Sequence, residues 1–211
     1  MISHLKLIEM KNLLIFLFLL AFFGCSDHKK SDLESEEIHK FVNWLFSEEN
    51  LLKDTLVFIQ AEANTTWRSE YLSDEFTVDD LKESKNLSDK SLSSFLRPED
   101  LDKIFSESNT DFRFDSDLLS NHIHLLNDED VAKIKLEPLD FQTNGKIDFA
   151  GKYQGFEVLS KPVFFQDYRY CFVFIESVSW DLSSSGSGLG FYEKKNGKWE
   201  KIAVVPLNMA G

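Results

Sequence analysis

The 211-residue chain carries 36 acidic against 23 basic side chains, a formal net charge of −13 at neutral pH. That excess argues against nucleic acid, whose phosphates require a basic face, and against docking on anionic lipid through a polybasic patch. With 43% hydrophobic residues and 20 phenylalanines the chain can fill a core, so disorder is expected only in short stretches.

The organisation is read first from residues 1–31. Lys11 and Asn12 precede a short apolar run, Leu13 to Gly24, and the chain turns polar directly after Cys25. A basic start, a short apolar core and a small residue before the break are the parts of a secretory signal peptide. A spanning helix would need about 20 apolar residues, and this run falls well short. The box Phe22-Phe23-Gly24-Cys25 resembles that of bacterial lipoproteins at Gly24 and Cys25, and departs from it at the paired Phe, where Leu and a small residue are commoner.

This resemblance covers only the segment that ends at Cys25. It implies export from the cytoplasm, a diacylglyceryl group with fatty acids such as palmitate on Cys25, and lipid anchoring at the cell membrane or outer membrane. Ser26, not Asp, follows Cys25, and the outer membrane is the expected place. Two or three acyl chains hold a protein stably, at about 0.8 kcal/mol per buried methylene. Met10-Lys11 is a more typical opening than Met1 to Glu9, so translation is expected to start at Met10. Residues 1–24 are then the signal, 25–32 the lipidated cysteine and tether, and 33–211 a single α+β domain. Loss of the signal removes Lys6, Lys11 and Glu9, so the chain from Cys25 to Gly211 is slightly more acidic than the whole.

The first helix is marked by the capping-box spacing of Ser31 and Glu34, with Ile38, Phe41, Val42 and Leu45 following at i, i+3, i+4 and i+7. Thr55 to Ala61 reads as a strand. From Asn64 to Thr110 the chain is polar, and its best helix is Arg97 to Phe105 with Pro98 at the start. Asn121 to Leu125 reads as a strand leading into a helix capped by Asn127, with Asp128, Glu129 and Asp130 in its first turn.

From Phe156 the pattern turns to β. Phe156–Ser160, Pro162–Phe165 and Tyr170–Ser179 are predicted strands, Ser183–Gly188 a flexible loop, and Leu189–Lys194 with Lys198–Val205 a hairpin about Asn196-Gly197. The fold class expected is α+β, with N-terminal helices packed on a C-terminal antiparallel meander. This C-terminal part is similar to the meander of uncharacterised bacterial secreted and lipid-anchored proteins, a resemblance that implies fold class and no active residue.

Few residues point to chemistry. Gly186-Ser187-Gly188-Leu189-Gly190 has the composition of a phosphate loop, yet a strand follows where that motif needs a helix. His122 and His124 would share a face of a strand and are weak candidates for a metal site, with Asp128 or Glu129 as a third ligand. The acidic pairs Asp74-Glu75, Asp79-Asp80 and Glu99-Asp100 lack calcium-loop spacing. Cys171, in an apolar run, is expected to be buried and inert. Trp67 and Trp180, with Trp199, stand near strand ends or loops, where they would form a ligand platform or pack in the core. No cofactor is expected. The function expected is a non-enzymatic binding or interaction module of the cell envelope, with an envelope protein or small ligand as partner. The alternative is an envelope hydrolase with a carboxylate and His122 in its site.

Overall fold

The computed structural model describes residues 32–47, 56–72, 92–136, 155–179 and 185–210. Its contacts divide the chain into two units, Met1–His39 and Lys40–Gly211. The division falls within helix α1, residues 32–45. In the first unit the described residues form the first part of that helix. Ile38 and His39 are buried, Leu33 is exposed, and His39 Nδ1 lies 2.7 Å from the Ser35 carbonyl one turn earlier.

The second unit is built on one seven-stranded mixed sheet. Its strands are β1 (Val57–Gln60), β2 (Ile123–Leu126), β3 (Gly155–Leu159), β4 (Val163–Phe165), β5 (Tyr170–Ser179), β6 (Ser185–Lys195) and β7 (Lys198–Ala210). The order is β2-β1-β3-β5-β6-β7, with β4 also paired to β5. Among the described residues the helices after α1 are α2 (Trp67–Tyr71), α3 (Pro98–Glu107) and α4 (Asp128–Leu136). The class is α+β as expected: helices come early, and β5-β6-β7 is an antiparallel meander. The meander does not stand alone, however. β1 pairs in parallel with both β2 and β3, so the N-terminal strands extend the same sheet.

Strand β5 explains why the sheet is covered on both faces. Tyr170 to Phe174 are all buried, the near-continuous apolar pattern of a strand buried on two sides. On one face Tyr170, Phe172 and Phe174 join Val163, Phe165 and Phe191 in a core roofed by Trp67 of α2 and by Leu101 and Ile104 of α3. On the other, Phe41 of α1 meets Phe164, Tyr192 and Trp199 edge-on, with ring centroids 6.2, 5.1 and 5.3 Å away.

Strands β3 and β4 lie along one edge of β5, with Ser160 between them. The Ser160 N–H donates to the Phe174 carbonyl and its Oγ accepts from the Phe174 N–H, each at 3.0 Å, so the hydroxyl keeps the ladder closed. Pro162, which has no N–H to donate, stands just before β4.

The expected loop Ser183–Gly188 is corrected in its described part; Ser183 and Ser184 lie outside the described residues. From Ser185 onward this segment is strand β6, where Gly186 and Gly188 pair with Ser177 and Ile175 of β5 and with Met209 and Pro206 of β7. Glycine and serine have little strand propensity of their own, but a long strand on each side overrides it. A side chain at Gly188 would come within 3.2 Å of the Val205 carbonyl, so the glycine there admits the neighbouring backbone.

Two turns close the same end of the meander. Asn196 and Gly197 both have positive φ, 51° and 79°, the backbone of a type I′ hairpin that Asn-Gly favours. The β4–β5 turn holds Gln166, Asp167 and Tyr168 in the left-handed region, at φ 49°, 55° and 62°, which costs roughly 1–2 kcal/mol per residue. It is fastened from outside: Gln166 Nε2 donates to the Phe95 carbonyl (2.8 Å) and to Asp100 Oδ2 (2.6 Å). Asp100, buried, also accepts from the Arg97 N–H and so caps α3.

Burial of hydroxyl and thiol groups gives the fold an alkaline limit. Burial raises the Tyr192 phenol above its ordinary 10.0, and pushes the Cys171 thiol well above 9.0. Their neutral forms are the ones the fold accepts. The stability they contribute is complete below the ordinary values and is lost as pH climbs towards the raised ones. Thermal unfolding should therefore show a Tm that is level up to about pH 8.5 and falls above pH 9. Tyr192→Phe keeps the ring against Phe41 and should make the fall above pH 10 shallower; an unchanged slope would refute this origin.

Candidate functional site

A cleft of about 570 Å³ opens where β1 and β2 end. Ala61 follows β1 directly, Leu125 lies in β2, and Asn127 follows β2. Arg113, Phe114, Asp115 and Ser116 complete the lining. The wall from Phe112 to Phe114 is held by backbone bonds: the Phe114 N–H donates to Ala61 (2.9 Å) and the Ala63 N–H to Phe112 (2.8 Å). Ala61 in turn donates to Leu126 (2.7 Å). The cleft thus sits at the carboxyl ends of two parallel strands, the place where open sheets with parallel strands receive ligands.

Its polar groups are fixed before any ligand arrives. The Arg113 guanidinium pairs with the Glu62 carboxylate on the neighbouring segment. Asp115 Oδ1 accepts from the Asp117 N–H at 2.9 Å, a short cap that turns the chain away. Asn127 Oδ1 accepts from the Asp130 N–H (2.9 Å), and the Asn127 N–H donates to Asp130 Oδ2 (3.4 Å). Helix α4 therefore starts with a reciprocal cap and three acidic residues, Asp128, Glu129 and Asp130. Those carboxylates already answer the helix dipole and disfavour a further anion. The site suits a neutral or cationic ligand rich in hydrogen-bonding groups.

No family model, curated protein or solved structure matches this chain.

The candidates named from the sequence fall elsewhere. His122 lies in the turn before β2, with Nε2 2.7 Å from the Phe46 carbonyl. His124, in β2, is exposed and stacks on Phe58 at 5.5 Å. Asp128 Oδ1 accepts from Gln60 Nε2 at 3.5 Å. Among the described residues no three His, Cys, Asp or Glu side chains are grouped to hold a metal ion. Trp67 is wholly buried, stacked on Phe174 at 5.4 Å, and is a core residue. Trp199 is buried against Phe41 and Phe164. Cys171 is buried, as expected. Cys25, Trp180, Asp74-Glu75 and Asp79-Asp80 lie outside the described residues.

The lining residues Arg113, Asp115 and Ser116 were not found by sequence reasoning, and Asn127 was read only as a cap. The Asp115-x-Asp117 turn after a buried Phe114 is the one local signal that could have pointed there.

Proposed function

We propose that this is a lipid-anchored envelope protein whose domain is a non-catalytic binding module, taking a small polar ligand into the cleft beyond β1 and β2. The observation that carries the binding half is the cleft itself: Arg113, Asp115, Ser116 and Asn127 line a space of about 570 Å³ together with the apolar Ala61, Phe114 and Leu125. The anchoring half rests on Phe22-Phe23-Gly24-Cys25. Amine-bearing peptides and neutral sugars are the ligand classes proposed, because Asp115 lines the cleft and the carboxylates that open α4 follow Asn127 directly.

A thermal-shift screen of the full chain against sugars, short basic peptides, divalent metals and lipids tests the binding half. Ligand at a hundred times its Kd adds about 2.7 kcal/mol, which is about 5–10 °C in a chain of this size. Arg113→Ala and Asn127→Ala should each abolish the shift. A shift that survives both places the ligand elsewhere, and product formation with any hit would replace the binding reading with the hydrolase one. Cys25→Ser should move the protein out of the membrane fraction of a bacterial host; retention there would remove the anchor from the proposal.

A further inference from the structure

The chain is acidic overall, but folding gathers cations at one end of the meander. The β4–β5 turn and the β6–β7 hairpin lie side by side there, the Lys194 N–H donating to the Arg169 carbonyl at 2.7 Å. Residues 167–169 and 193–201 hold five cations, Arg169, Lys194, Lys195, Lys198 and Lys201, against three carboxylates. Glu193, its side chain 5% exposed, is buried beneath two of those cations: Arg169 Nη2 lies 2.9 Å and Lys195 Nζ 3.6 Å from its oxygens. Lys195 Nζ also donates to Glu200 Oε2 at 2.7 Å, and both cationic heads stay in solvent. Lys198 and Lys201 are exposed.

Aromatic groups stand among these charges. Tyr168, 40% exposed, stacks on Phe164, and Lys194 Nζ lies 5.3 Å over the Trp199 ring. The left-handed turn that carries Tyr168 is fastened to α3 through Gln166, so its tip is presented on a rigid frame. Trp199 is buried, and Tyr168 is the exposed aromatic; a Tyr beside Lys and Arg is a side chain that settles at the headgroup level of a bilayer.

We propose that this end of the meander rests on anionic lipid headgroups, with Arg169, Lys198 and Lys201 against the phosphates and Tyr168 between them. The proposal rests on lipid anchoring at Cys25. The carboxylates elsewhere in the chain do not oppose the contact strongly, because charges more than about 8–10 Å away are screened at physiological salt. Overall composition argued against such a patch; the folded arrangement makes one locally.

The test uses the full chain isolated from the membranes of a bacterial host, reconstituted into vesicles of phosphatidylcholine alone or of phosphatidylcholine and phosphatidylglycerol mixed two to one. Flotation reports anchoring, and amine acylation read by peptide mass reports access to Lys198 and Lys201. Acylation of both should slow about fivefold in the anionic vesicles, recover at high salt, and slow less in Arg169→Gln. Failure to float with either vesicle would overturn the anchor and the contact together. Flotation with equal acylation in both would overturn the contact alone.

Discussion

Trp67→Ala is expected to lower stability by about 3–5 kcal/mol, the range for removing a large buried aromatic side chain, and to lower Tm by about 10 °C or more. Trp67 is fully buried between Phe172, Phe174 and Phe105, with centroids 5.6, 5.4 and 6.3 Å away. Helix α2 is only five residues long, too short to persist without packing, so loss of this ring should free the helix from the sheet. The indole Nε1 has no hydrogen-bond partner among the described residues, and a buried unsatisfied donor costs about 1–3 kcal/mol. Trp67→Phe gives up some contact area and removes that donor together. It should therefore stay within about 1.5 kcal/mol of the parent in denaturant unfolding. If both substitutions cost the same, the indole nitrogen has a partner and the packing argument fails.

Phe41→Ala should cost a similar amount, about 3–5 kcal/mol, on the opposite face. Phe41 is fully buried, and its ring meets Phe164, Tyr192 and Trp199 together. The neighbouring Trp44, half-buried, contacts Tyr192 at 5.6 Å, and its replacement by alanine should cost clearly less. Because Phe41 and Trp67 pack on different faces of the sheet, their effects should add to within about 0.5 kcal/mol. A double variant far from additive would mean that the two cores are coupled through the strands.

How much of this was legible in the sequence follows from the range of each signal. Asn196-Gly197 between alternating segments demanded the hairpin, and Pro98 and Asn127 placed the helix starts, because each acts through its own backbone within a few residues. The left-handed turn at Gln166 to Tyr168 contains no glycine to announce it; it exists because Gln166 reaches Asp100, 66 residues away in sequence. The glycines of β6 read as a loop because only the flanking strands make them a strand. Parallel pairing of β1 with β2 and β3 has no local mark at all, and the cleft is made by that pairing. Its residues were therefore the least accessible to reading along the chain. The spacing of His122 and His124 says nothing of their partners: one meets the Phe46 carbonyl and the other stacks on Phe58.

The position of Cys171 has a use unrelated to ligands. It sits in the middle of the sheet, paired across to Phe164 on one side and Tyr192 on the other, with no exposed surface. The chain has two cysteines, and acylation of Cys25 would leave this thiol alone able to react. An alkylating reagent can reach it only when β5 parts from a neighbour, and burial also suppresses the reactive thiolate. The rate at which the folded protein takes up such a reagent is consequently a native clock for opening of the central sheet, readable by mass without adding any label to the chain.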